Sequence, residues 1–156
     1  MIINPTFPGG FVTFCDDIRH EITGKMTLVG VYHGQINVLG SAPVVLSQIC
    51  ALIDFRFIPE SVPINPIIKI YRSDQEEPII ENKIEISAVE ARLFEELPKI
   101  DEGSVRFHQI VIPIQLQGLA VNDSFRLKVR AFVDDDEIRM GSLQINLIDS
   151  DSGVVE

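Results

Sequence analysis

The sequence predicts an all-β fold: a two-layer antiparallel β-sandwich of about eight strands, C2-like or immunoglobulin-like in outline, with one short crossover helix. Three observations predict it. Apolar and polar residues alternate at period two along most of the chain, as in strands with one face in a core and the other in water. Turn signals such as Thr23-Gly24-Lys25, Leu39-Gly40-Ser41, Ser73-Asp74 and Val121-Asn122-Asp123 separate the alternating runs. The chain has 156 residues, 46% of them hydrophobic and 23% charged. That is enough to bury a core without disulfide or metal, and it excludes global disorder. A closed barrel is the alternative, which the interior isoleucines and phenylalanines do not separate from a sandwich.

Taken in order, alternation marks strands over 11–19 and 27–39. It is clear over 49–57, where Ile49, Ala51, Ile53, Phe55 and Phe57 share one face and Asp54 and Arg56 the other. It marks 66–72, and 79–86, where Ile80, Ile84 and Ile86 face inward and Glu81, Lys83 and Glu85 outward. Residues 88–97 break the period. Val89, Leu93 and Leu97 recur every four residues, Ser87 and Glu90 match a capping box, and Pro98 stops continuation, so a short helix is expected there. Strands resume over 105–116 and 125–133. In the latter, Phe125, Leu127, Val129, Ala131 and Val133 take one face. Residues 133–137 read as a tight hairpin tip before a last strand over 138–148. Residues 1–148 are expected as one domain and 149–156 as a frayed tail.

No basic, apolar leader opens the chain, and no run approaches 18 uncharged apolar residues, so neither a secretory signal nor a transmembrane helix is expected. Cys15 and Cys50 sit in apolar strand-like runs, without a CxxC or Cys/His cluster, and read as buried free thiols of a cytoplasmic protein. A disulfide between them requires neighbouring strands. His20, His33 and His108 are isolated, which speaks against a zinc site. No cofactor is expected.

The formal net charge is −10, from 13 Lys+Arg against 23 Asp+Glu. Such a balance argues against general nucleic-acid binding, which needs a basic surface to displace counterions. Two charged groups remain as candidates. Asp134, Asp135 and Asp136, with Glu137, form an acidic tip that could offer oxygen ligands to calcium if Asp149 and Asp151 approached it, although an acidic tip more often only solubilises a hairpin. Arg126, Lys128 and Arg130 form a basic stripe that could meet an acidic partner or anionic headgroup, or pair with Asp136 or Glu137 on the next strand.

The densest polar run is residues 15–32, CDDIRHEITGKMTLVGVY. Asp16 and Asp17 could act as ligands or acid–base groups, but Arg19 pairing with Asp17 or Glu21 on a solvated face is the simpler reading. If Asp16 points inward, it needs a partner. Gly24 is expected to turn with positive φ, and Gly30 to make room for a large neighbour such as Phe14. Asp17, Arg19 and Lys25 are expected to form a charge network beside the hairpin. The residues Cys15, Asp16, Asp17, Ile18, Arg19, Glu21, Gly24, Lys25, Leu28, Gly30 and Tyr32 resemble the N-terminal signature of an uncharacterised bacterial domain family. The resemblance covers about a fifth of the chain and implies a bacterial source, no activity and no site residues.

No nucleophile elbow, metalloprotease motif or phosphate-cradling loop is present. The expectation is therefore a non-catalytic binding or assembly module, meeting a protein partner or a second copy through exposed strand edges. A C2-like metal- or lipid-responsive domain and a hydrolase with dispersed residues are the alternatives.

Overall fold

The computed structural model describes residues 6–87 and 106–150. Among these residues it is all-β, with nine strands in two sheets and neither a helix nor a closed barrel. The strands are β1 (Gly9–His20), β2 (Met26–Val31), β3 (Gln35–Leu39), β4 (Val44–Phe57), β5 (Ile67–Arg72), β6 (Pro78–Lys83), β7 (His108–Val121), β8 (Phe125–Val133) and β9 (Asp136–Ile148). One sheet has the order β2-β1-β4-β7, the other β3-β9-β8-β5-β6. The helix expected over 88–97 lies outside the described residues, as does the tail beyond Ser150.

Two expectations are corrected. Residues 27–39 form two strands, β2 and β3, which belong to different sheets. The chain leaves the first sheet after Val31 and enters the second at Gln35. Side-chain alternation passes through Tyr32-His33-Gly34 without a break, so period two alone could not show the split. The pairing is also not wholly antiparallel: β3 runs parallel to β9, with Ile36 opposite Ile145 and Val38 opposite Leu147. A strand that arrives from another sheet is not held to the antiparallel sense a tight hairpin imposes.

The two sheets share one apolar core. β4 contributes Ile49, Ala51, Ile53, Phe55 and Phe57, all buried. β8 contributes Phe125, Leu127, Val129, Ala131 and Val133, also buried. Both sets are the faces that alternation assigned to the interior. β7 changes the face it buries at Gly118: Ile114 and Leu116 are buried before it, Leu119 and Val121 after it. That one-residue change lets a 14-residue strand follow the core along its whole length.

Arg72 ties the sheets together. Its Nε and Nη2 donate to Asp74 Oδ1 at 3.0 Å and Oδ2 at 2.9 Å, and its Nη1 donates to the Ala120 carbonyl of β7 at 2.7 Å. The guanidinium lies 3.9 Å from the centroid of the Phe125 ring. A cation can be buried here because its hydrogen bonds are met and its charge is matched.

Candidate functional site

The signature segment folds into a clasp. Asp16 stands opposite Gly30, between the pairs Cys15–Val31 and Asp17–Val29. Gly30 has φ 65°, and a Cβ there would come within 2.0 Å of Asp16 Oδ2. The room at Gly30 therefore belongs to Asp16, not to Phe14 as expected. Asp16 is exposed and does not turn into the core, so the condition under which it would need a partner is not met; the Tyr32 hydroxyl nevertheless donates to its Oδ1. Burial, and then the Asp16 hydrogen bond and charge, push the Tyr32 phenol up to about 12. Gln48 Nε2 donates to the Asp16 carbonyl at 3.0 Å and to Asp17 Oδ1 at 3.2 Å, while Gln115 donates to Gln48 Oε1.

Arg19 lies 3.3 Å from Asp17 Oδ2, on the exposed face. Such a pair contributes little to stability. Glu21 accepts from the Thr27 hydroxyl at 2.8 Å. Gly24 turns the hairpin with φ 80°. The Lys25 side chain pairs with neither Asp17 nor Arg19 among the described residues, so the expected three-member network reduces to one ion pair. Cys15 and Cys50 are direct partners across β1 and β4. Both are buried, and burial is the main cause raising both thiols above their ordinary value of 9.0. A thiol so protonated is a poor nucleophile at neutral pH.

The acidic tip is a two-residue turn between β8 and β9, with Asp134 at φ 54°. β9 separates Asp136 from Asp149 by thirteen residues, about 40 Å of extended strand, so Asp149 does not join the tip. Asp151 lies outside the described residues. Among the described residues no three His, Cys, Asp or Glu side chains are grouped as metal ligands would be. The basic stripe shares the outer face of its sheet with its own counter-charges. Arg130 pairs with Glu137 at 3.1 Å, and Arg126 donates to Gln144 Oε1 at 3.2 Å. Neighbouring Lys69, directly opposite Arg130, pairs with Glu81 at 3.3 Å.

A cavity lies elsewhere, at the start of β1. It has a volume of about 410 Å³ and is lined by residues 6–11 together with Arg56, Phe107, Ile138 and Arg139. The size is in the range of small-molecule sites. Arg56 is its anchor. Asp54 accepts from Arg56 Nε at 2.7 Å and from Nη2 at 3.1 Å, and Asp54 also accepts from Gln109. The Asp54 hydrogen bonds raise the Arg56 guanidinium further above its ordinary value. The guanidinium carbon lies 5.1 Å from the Phe11 ring centroid and 4.8 Å from that of Phe107, and Phe107 stacks on Phe7 at 5.8 Å. Register explains the opening beside Arg56: its β1 partner is Gly9, which has no side chain to cover it. Two of the five guanidinium N–H groups serve Asp54, and the other three have no hydrogen-bond partner among the described residues. Arg139 is exposed and has no hydrogen-bond or ion-pair partner among the described residues. Among the described residues no acidic side chain lines the cavity.

Sequence reasoning missed this site. Arg56 was legible only as an outward residue of a strand. The available signal was the cluster of aromatic residues at strand starts, Phe7, Phe11 and Phe107, two of which remain 47% and 42% exposed at Phe11 and Phe107. No helix among the described residues is long and apolar enough to cross a membrane. None of the curated proteins matches the chain. Residues 10–146 match the model of DUF6941, a family of unknown function, and the chain belongs to that family.

Proposed function

We propose that this chain is a non-catalytic binding module of a cytoplasmic protein, built on a β-sandwich, and that the cavity at Arg56 and Arg139 holds the anionic end of its ligand. The observation that carries this reading is the lining itself. In a chain of net charge −10, two arginines and no acidic side chain line this cavity among the described residues. A planar guanidinium offers paired N–H donors that match a carboxylate or phosphate. Asp54 fixes the Arg56 fork from behind, so little side-chain entropy is lost when an anion docks. The rings of Phe7, Phe11 and Phe107 and the Pro8 edge give the remaining wall an apolar character, suited to a flat apolar body attached to the anion. Raised thiol pKa values and the missing catalytic motifs support binding over chemistry.

Benzoate and phenyl phosphate are suitable probes, with acetate and inorganic phosphate as anions lacking the flat body. Titration followed by amide NMR shifts should move resonances of residues 9–11 and 139 at millimolar probe. Arg139→Ala should weaken binding about tenfold, the worth of one charge-assisted hydrogen bond. Absence of localised shifts with all four probes at about 10 mM, a level that detects even millimolar affinity, contradicts the reading.

A further inference from the structure

Independently of that cavity, we infer that Cys15 and Cys50 are a redox pair that closes into a cross-strand disulfide when the protein meets a hydroperoxide. Register brings the two thiols together. Cys15 and Cys50 are direct Cα partners, and theirs is the last pair of the β1–β4 ladder. Beyond it, residues 17–20 of β1 pair with β2 alone, and the Gln48 side chain spans the fork to Asp16 and Asp17.

The kind of pair follows from the backbone. The Phe14 carbonyl accepts from the Tyr32 N–H, so Phe14 turns its polar groups toward β2. Cys15, the next residue, then turns its own toward β4, which makes Cys15–Cys50 a hydrogen-bonded pair. Such pairs place Cα atoms about 5.5 Å apart, within the range that disulfides span. Their Cβ atoms are roughly 1.5–2 Å farther apart than a disulfide prefers. The fork supplies that movement, because no ladder bond holds β1 to β4 past Cys15.

Access comes from a second cavity of about 230 Å³, whose lining includes Cys50, Asp17, His20 and Pro113. Cys15 does not line it and is fully buried. The roles therefore divide. Cys50 is the sulfur a small oxidant reaches, and Cys15 is the sulfur that resolves it. Burial keeps the thiolate fraction small at neutral pH, so oxidation is slow and quickens as pH rises. In that fraction the Cys50 thiolate, its proton passed to solvent, attacks one peroxide oxygen; the O–O bond breaks, Cys50 becomes a sulfenic acid, and the departing hydroxide takes up a proton and leaves as water. The Cys15 thiolate then attacks the Cys50 sulfur, the S–O bond breaks, and a second water leaves. Two thiols and one hydrogen peroxide thus give one disulfide and two waters, with two electrons passing from the pair to the peroxide. Closure also removes two weak S–H donors, from Cys15 to the Asp17 carbonyl at 3.4 Å and from Cys50 to the Asp16 carbonyl at 3.7 Å. It replaces them with a covalent pin at the mouth of the fork.

The test treats the native protein with hydrogen peroxide and then reads intact mass and the number of alkylatable thiols after unfolding. The inference predicts loss of two hydrogen atoms and of both thiols, at a rate independent of protein concentration, with both thiols restored by dithiothreitol. The oxidised protein should melt higher, by roughly 5–10 °C, because the bond closes a long loop in the unfolded chain. In Cys15→Ser the same treatment should leave Cys50 as an oxygen adduct. Two alkylatable thiols remaining in the wild type, oxygen adducts without disulfide, or bonds formed only between chains would each overturn the inference. None of these readouts involves Arg56 or Arg139, so the outcome is separate from that of the ligand site.

Discussion

At the scale of single residues, the clasp shows how one missing Cβ organises a polar cluster. Gly30 serves twice: it adopts φ 65°, and it leaves the space the Asp16 carboxylate fills. Gly24 serves once, because a Cβ there would meet nothing within 4 Å. Gly30→Ala should therefore cost about 2–4 kcal/mol, combining backbone strain with displacement of Asp16 from Tyr32. Gly24→Val should cost only the strain, about 1–2 kcal/mol. Urea denaturation of the two variants checks the order, and equal losses would count against the placement of Asp16. Tyr32 gives a pH test. The phenol ordinarily ionises at 10.0 and in the folded protein at about 12. Between those values unfolding releases a proton, so stability is full below pH 10 and falls as pH rises toward 12. Tyr32→Phe should lack this alkaline loss when the two stability curves are compared. The sequence made the members of this cluster legible but not their partners. Phe14 and Asp16 lie on the same side of an alternating strand, and only the register with β2 decides that Asp16 meets Gly30.

At the scale of elements, period two was sufficient wherever a strand keeps one face in the core. Residues 49–57 and 125–133 are buried along the faces their alternation indicated. It failed where alternation is continuous but the chain changes sheets, as between β2 and β3, and where a strand changes its buried face, as β7 does at Gly118. The parallel β3–β9 pair was also hidden, because no hairpin turn joins those strands in sequence. Arg72 belongs to this scale as a bond between sheets. Arg72→Ala should destabilise the protein by about 3 kcal/mol, leaving the Ala120 carbonyl without its donor and Asp74 without its counter-charge. The Arg72 hydrogen bond holds the Asp74 carboxyl below its ordinary value of 3.8. That contribution is present above 3.8 and is lost as pH falls through the lower folded value. Thermal melts of wild type and Arg72→Ala should accordingly converge slightly in strong acid.

At the scale of the whole molecule, acidity is the background against which the cavity stands out. A net charge of −10 repels anions at long range, so an anion site must be built locally. Here it is built from Arg56 and Arg139, which are 83 positions apart (139 minus 56) and belong to different sheets. No local pattern could reveal that meeting, because it depends on strand order. The basic stripe, by contrast, was legible in sequence, and Glu137 and Glu81 answer two of the cations on its face. The cavity is therefore the feature to test. Its most direct test is the titration of the wild-type protein with phenyl phosphate, followed at the amides of residues 9–11 and 139 and repeated with Arg139→Ala. Saturable shifts confined to those residues, weakened about tenfold in the variant, are the predicted result. Shifts that are absent, scattered over the surface or unchanged in Arg139→Ala would contradict it.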